Sequence, residues 1–209
     1  MLKVIAEQLL SFSKGLFEVR PYQILAVATL LHQEARVVYS VHRAGYGKTM
    51  MNFLTARYLC QHNKKVVYVV KDEFLKAQAK YKAKQLGVVG FDILCYKEFD
   101  SYAEPDTILI CDEYYDAMIE AKIGLNENGG FNPIFSAGFT SRTFITTATY
   151  STAFLELLMR TFGSVVCLGG PQVSMDDKTQ DASYRLQVIC KPTPDALTTA
   201  AVNQVLSLV

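Results

Sequence analysis

The sequence predicts an α/β domain with a mainly parallel central sheet covered by helices on both faces. Three observations carry that expectation. Short apolar, β-branched runs recur at residues 36–41, 66–70 and 107–111. They are nearly continuous and do not alternate with polar residues, as strands buried on both faces require. Helix-compatible stretches separate them, and strands alternating with helices build parallel sheets. Finally, the run Val37-Val38-Tyr39-Ser40-Val41 passes through a short linker into Gly45-Tyr46-Gly47-Lys48-Thr49 and then an apolar helical run. Strand, glycine loop, Lys-Thr and helix in that order form a P-loop.

The elements follow in chain order. Leu2, Ile5, Leu9 and Leu10 share one side of a helix over about residues 2–12. Glu7 within that pattern argues for an amphipathic helix over a signal peptide. Residues 13–18 connect to a second helix, with Pro21 in its first turn, where proline is tolerated. Strand 36–41, the glycine loop and a helix over 48–61 come next. Strand 66–70 precedes a lysine-rich helix over 73–86. Strands follow at 91–96, 107–111 and 142–147, with a Gly/Asn-rich loop at 124–138 between the last two. A helix over 151–161 and a strand at 164–168 complete the main domain. Residues 169–183 read as a polar connection. Beyond it lie a strand at 186–190 and a helix over 195–208 with Asp195 as N-cap. The expected organisation is an N-terminal helix (1–17), a nucleotide-binding domain (18–183) and a C-terminal strand–helix (184–209).

Composition narrows the class. Of 209 residues, 50% are hydrophobic and 20% charged, which supports a large buried core. The net charge is only +1, so nucleic-acid binding would rest on a local basic patch and not on an overall field. The five cysteines are widely spaced, with no Cys-x-x-Cys pair. They read as reduced thiols of a cytoplasmic-type compartment, which also fits a nuclear or viral replication site. The three histidines, His32, His42 and His62, do not suggest a zinc site. No apolar run reaches the ~18–20 residues of a membrane span.

The glycine loop carries the first chemical expectation. Gly45 and Gly47 permit positive φ and a close backbone approach to an anion. The loop N–H groups of Arg43, Ala44, Gly45, Tyr46 and Gly47, with the helix N-terminus, would face phosphates. Lys48 would reach the β and γ phosphates of ATP, and the Thr49 hydroxyl would ligate Mg²⁺. The full P-loop pattern opens with a glycine, and here His42 stands at that position. The alternative is a glycine-rich connection with an exposed lysine.

Downstream, Ile108-Leu109-Ile110-Cys111-Asp112-Glu113 is a buried strand ending in two acids, the Walker B pattern. Asp112 would hold Mg²⁺ and Glu113 would polarise an attacking water. The plain alternative is a strand end capped by solvated acids. Upstream, Arg20-Pro21-Tyr22-Gln23 offers Gln23, whose amide both donates and accepts and could read an adenine edge. Thr147-Ala148-Thr149 follows a buried strand, where hydroxyl groups can link nucleotide state to a neighbouring segment.

These four segments, in this order, resemble the first motor domain of superfamily 2 helicases and translocases. The resemblance covers about residues 18–170. It implies a RecA-like three-layer fold and ATP-dependent remodelling of DNA or RNA together with a second RecA-like domain. That family has an Arg-x-Tyr-Gln segment, like Arg20 to Gln23, ahead of its Ala-x-x-Gly-x-Gly-Lys-Thr loop. It does not require the early glycine, and it usually has a small residue where His42 stands. Its acid box here reads Asp112-Glu113-Tyr114-Tyr115, neither the DEAD nor the DEAH form. The resemblance further implies coupling through Thr147 and Thr149, and nucleic-acid backbone contacts near Lys71, Lys76, Lys80 and Lys97. A solvated helix face is the plain reading of those lysines. A non-motor nucleotide-binding module and a small-molecule kinase are the other functional classes. Kinases usually keep the early glycine and add an arginine-bearing lid, whereas Arg142, Arg160 and Arg185 are scattered. Because no full second motor domain is read before Val209, slow hydrolysis and no unwinding are expected of this chain alone.

Overall fold

The computed structural model describes residues 2–13, 19–95, 98, 106–113 and 142–169. The expected strand at 186–190, the helix at 195–208 and the loop at 124–138 lie outside the described residues. The elements are α1 (Leu2–Ser13), α2 (Pro21–His32), β1 (Val37–Val41), α3 (Lys48–Gln61), β2 (Val66–Val70) and α4 (Glu73–Gln85). They continue with β3 (Asp92–Cys95), β4 (Ile108–Asp112), β5 (Thr143–Thr147), α5 (Thr152–Phe162) and β6 (Val165–Leu168). For each described element with expected bounds, the boundaries fall within two residues of them.

The strands form a six-stranded sheet in the order β3-β2-β4-β5-β1-β6. All five pairings are parallel. β1, β2 and β5 are buried at every position, which is why their sequences show no polar alternation. Successive side chains still point to opposite faces. On one face Val38, Tyr68, Ile110, Phe144 and Val166 pack against Leu9, Ile24, Val27, Phe53 and Leu54 of α1, α2 and α3. On the other, Val37, Tyr39, Leu109, Ile145 and Cys167 pack against Phe154, Leu155 and Leu158 of α5.

Local chemistry sets the helix ends. Pro21 occupies the first turn of α2, and Gln23 Oε1 accepts the Arg20 backbone N–H at 2.9 Å. Asp72 caps α4 by accepting from Leu75 N at 2.8 Å, and Ser151 caps α5 by accepting from Phe154 N at 3.2 Å. Helix α5 stops at Gly163, whose φ of 69° suits glycine.

Leu158 is fully enclosed between α5 and the sheet, whereas Phe74 on α4 is 75% exposed. Leu158→Ala is expected to cost about 2–5 kcal/mol of unfolding free energy. Phe74→Ala should stay within about 0.5 kcal/mol. Equilibrium urea denaturation of both variants checks the contrast.

Candidate functional site

Strands β4, β5 and β1 lie side by side and end level with one another. Val41 is paired with Thr147, and Asp112 with Thr146. The sheet thus brings the glycine loop, the acid box and Thr147-Ala148-Thr149 to one carboxyl edge. From β1 the chain moves to β2 on one side, while β6 pairs with β1 on the other. In open parallel sheets, ligands bind at such a reversal of strand order.

The loop after β1 uses both glycines in the left-handed region, with φ of 82° at Gly45 and 79° at Gly47. Their surroundings differ. A Cβ on Gly45 would meet nothing within 4 Å, whereas one on Gly47 would lie 2.3 Å from Gln23 Nε2. Gly47 is the N-cap of α3, and its carbonyl accepts Met51 N–H at 3.1 Å. The Tyr46 carbonyl accepts two bonds, from Tyr22 Oη at 3.0 Å and Gln23 Nε2 at 3.1 Å. The Tyr22 and Tyr46 rings also meet at 5.5 Å. The start of α2 therefore braces the loop. Arg43, Ala44 and Gly45 are exposed, and Lys48 and Thr49 are half-buried.

The acid box closes onto the loop. Glu113 Oε1 lies 3.0 Å from Lys48 Nζ. Glu113 Oε2 accepts from Thr147 Oγ1 at 3.1 Å and Ala148 N at 3.3 Å. Glu113 holds a positive φ of 50°, and its N–H donates to the Thr146 carbonyl at 2.9 Å. A non-glycine residue in this region is strained, and such strain persists where surrounding contacts enforce it. Thr149 N donates to Thr147 Oγ1 at 3.1 Å, and the Thr149 carbonyl accepts from Tyr39 Oη at 3.0 Å.

Asp112 sits deeper. Tyr68 Oη donates to Asp112 Oδ2, and Thr146 Oγ1 lies 3.3 Å from Asp112 Oδ1. Asn52 Nδ2 donates to Thr146 Oγ1 at 2.9 Å. Burial pushes the Asp112 carboxyl above its ordinary range, the Tyr68 hydrogen bond opposes this, and the Glu113 charge raises it further. Lys48 and Thr146 offset part of the rise. The Tyr68 phenol is pushed well above its usual range, first by burial and then by the Asp112 charge. A carboxylate penalised by burial and by a like charge suits a divalent cation, which would relieve both penalties.

His42 occupies the position of the early glycine. Its backbone N–H donates to the Thr147 carbonyl at 2.9 Å, and Nε2 lies 2.7 Å from Ser40 Oγ. Burial, aided by the Lys48 charge, pulls the imidazole down to about 4. His42 is therefore neutral at physiological pH and does not add a cation behind the loop.

The lysines suggested for nucleic-acid contact fare differently. Lys80 is exposed on α4 and Lys71 is half-buried. The Lys76 ammonium is held by Glu98 and, at 3.4 Å, by Glu73. A phosphate there would compete with two carboxylates. Lys97 lies outside the described residues. Tyr22, Asn52, Tyr68 and Thr146 belong to the site although the sequence reading gave them no role. Tyr22 stood in a quoted segment, but the other three carry no local signal. They meet only because β2, β4, β5 and α3 are neighbours in space.

A parallel sheet with a glycine loop, two acids and a Thr-Ala-Thr turn at one edge defines a P-loop domain with a RecA-like fold. The family described as type III restriction enzyme, res subunit, matches residues 16–122, and the chain belongs to that family. Among solved structures, the chain is similar to the UvsW helicase from bacteriophage T4, with a TM-score of 0.54 and 14% identity over 72% of this chain and 60% of that one. It is also similar to a DEAD box protein from the hyperthermophile Methanococcus jannaschii, with a TM-score of 0.51 and 16% identity over 69% of this chain and 48% of that one. The matched fold thus spans only part of each of these longer chains. No curated protein matches the sequence. Among the described residues, no helix is long and apolar enough to cross a membrane.

Two outcomes follow from the geometry. The unfolded chain takes up a proton on His42 near pH 6.5, whereas the folded chain resists until about 4. This contribution to stability is fully present above 6.5 and is lost as pH falls toward 4. Melting temperature should drop across that window, and His42→Gln should flatten the drop. Separately, Gly45→Ala and Gly47→Ala each force alanine into left-handed backbone, at about 1–2 kcal/mol. Only Gly47→Ala also collides with Gln23, so it should be the more damaging. In a Gln23→Ala background the two costs should agree within about 0.5 kcal/mol by chemical denaturation.

Proposed function

We propose that this chain binds MgATP at the loop after β1 and serves as the first half of a motor that remodels DNA or RNA, completed by a second RecA-like domain in cis or in trans. The observation that carries this reading is the Glu113 carboxylate shared between Lys48 of the loop and Thr147-Ala148 of the neighbouring strand end. Phosphate loop, acid box and third segment thereby meet in one group.

The roles follow from charge and reach. Loop N–H groups of Arg43, Ala44, Gly45 and Gly47 receive the phosphates, while the Tyr46 N–H, also expected there from the sequence, is given to the Arg43 carbonyl at 3.3 Å, and Arg20 and Gln23 are assigned to the nucleoside side. The Gln23 amide has a second N–H beyond the one given to Tyr46, and that proton can address a base edge. Thr49 and Asp112 would hold Mg²⁺, which when bound neutralises charge across the β and γ oxygens. Lys48 is claimed by Glu113 at 3.0 Å. A γ-phosphate competes for that ammonium. Its arrival frees one carboxylate oxygen of Glu113 to orient and polarise water, while Thr147 and Ala148 hold the other. Thr147 and Thr149 then register the movement of Glu113 and pass it to whatever packs on that edge. Lys71 and Lys80, with Lys76 if its carboxylates release it and Lys97, supply phosphate contacts for a nucleic-acid strand.

Arginine fingers from a partner domain accelerate phosphoryl transfer by about 10³–10⁵-fold. Isothermal calorimetry with ATP and magnesium tests the core of the reading. Lys48→Ala should weaken binding at least tenfold, in line with ~1.5–3 kcal/mol for a lost charged hydrogen bond. Glu113→Gln should keep binding and lose turnover. A wild-type chain that takes up no nucleotide under magnesium would sink the proposal.

A further inference from the structure

A chain of hydrogen bonds and ring contacts runs behind Asp112. Thr49 and Asp112 belong to different elements. Thr49 comes from the first turn of α3, and Asp112 from the end of β4. A small divalent cation tolerates little error in ligand placement, because Mg²⁺ demands near-octahedral geometry at about 2.0–2.1 Å. Parallel pairing fixes β4 relative to β5 and β2, but it does not fix α3. Something must hold the helix and the strand end in register.

Two adjacent residues of α3 do so, one turn beyond Thr49. Asn52 is 2% exposed, and its Nδ2 donates to Thr146 Oγ1 at 2.9 Å. Thr146 is the ladder partner of Asp112 on β5, with its hydroxyl 3.3 Å from Asp112 Oδ1. Phe53, the next residue, packs edge-on against the Tyr68 ring with centroids 5.6 Å apart. Tyr68 lies on β2, the other neighbour of β4, and its hydroxyl donates to Asp112 Oδ2. One carboxylate is therefore gripped from both flanking strands, and both grips lead back to α3.

We propose that Asn52, Thr146 and Tyr68 are positioning residues that set the divalent-cation affinity and selectivity of the nucleotide site by holding Asp112 in register with Thr49. The inference rests on the reading of Thr49 and Asp112 as the metal-holding pair. Its chemistry is specific. The Tyr68 hydroxyl engages Oδ2 closely, whereas Thr146 Oγ1 lies 3.3 Å from Oδ1 and 3.4 Å from the Cys111 carbonyl, so Oδ1 is the more loosely held oxygen and the one a cation or its water would meet. One-oxygen coordination suits the compact octahedral shell of Mg²⁺. Calcium takes six to eight oxygens and readily uses both oxygens of a carboxylate. The tyrosine hydroxyl thus favours Mg²⁺ over Ca²⁺.

The test measures ATP affinity by calorimetry in EDTA, in magnesium and in calcium, for the full chain and three variants. Tyr68→Phe removes only the hydroxyl. Thr146→Val removes the other grip at constant volume, and Thr146→Ser restores a hydroxyl there. Outer-shell partners of metal ligands are typically worth about 10–100-fold in metal affinity. Tyr68→Phe and Thr146→Val should therefore lose about tenfold or more of the magnesium-dependent gain, with ATP affinity in EDTA unchanged. Thr146→Ser should retain the gain. Tyr68→Phe should also narrow the preference for magnesium over calcium. If a folded Tyr68→Phe chain keeps the wild-type gain and the wild-type preference, the inference is overturned while the proposed function stands. If Tyr68→Phe does not fold, Thr146→Val against Thr146→Ser decides: equal gains overturn the inference, and a loss only in valine upholds it. If the wild type binds ATP with no magnesium-dependent gain, the metal-holding pair is misassigned and the inference falls with it.

Discussion

Burial of the central strands on both faces is the constraint on which the rest of this structure depends. A strand such as β1, buried at all five positions, has nowhere along its length to show a polar group to solvent. Polar chemistry is driven to its ends. Strands β1, β4 and β5 run parallel and in register, so their carboxyl ends form one line. The loop after β1, the acids after β4 and the Thr-Ala-Thr turn after β5 are neighbours for that reason. The backbone N–H groups left open at the start of α3 face the same line.

Charge then ties the line together. Lys48 and Glu113 are both partly shielded from water, with side-chain exposures of 12% and 31%, so their attraction is screened less than that of a surface pair. In this state they satisfy each other. The Lys48 ammonium is thereby compensated by a carboxylate from the neighbouring strand end. The positive φ at Glu113 belongs to the same arrangement. It turns the carboxylate toward Lys48 and Thr147 instead of letting it continue the strand.

Asp112 behaves differently from its neighbour. The Tyr68 and Thr146 hydroxyls reach it, and burial raises its proton affinity while the Lys48 charge offsets part of the rise. One acid of the pair is thus engaged with the loop and the other with hydroxyls of the flanking strands. Identity in sequence position does not imply identity of role, because each faces a different surface of the sheet edge. His42 is similar in kind. Its residue type suggests charge, but its surroundings hold it neutral, so a bulky residue is tolerated where a small one is usual.

Most of the fold was legible in the chain itself. Continuous apolar runs, proline and cap residues, and glycine before Lys-Thr are local signals, and each element formed where they lie. The three motifs at the carboxyl edge were legible too, because strand ends carry their chemistry in contiguous residues. Tertiary structure alone decided what those residues touch. It paired Lys48 with Glu113, braced the Tyr46 carbonyl with Tyr22 and Gln23, and locked Lys76 between Glu73 and Glu98. It also gathered Asn52, Tyr68 and Thr146 around Asp112 from three separate elements. Periodicity tells which face of a strand is buried, but it cannot tell which strand lies beside it. The order β3-β2-β4-β5-β1-β6 is set by the packing of the whole sheet, and the hydrogen bonds that tune the site exist only once that order is chosen.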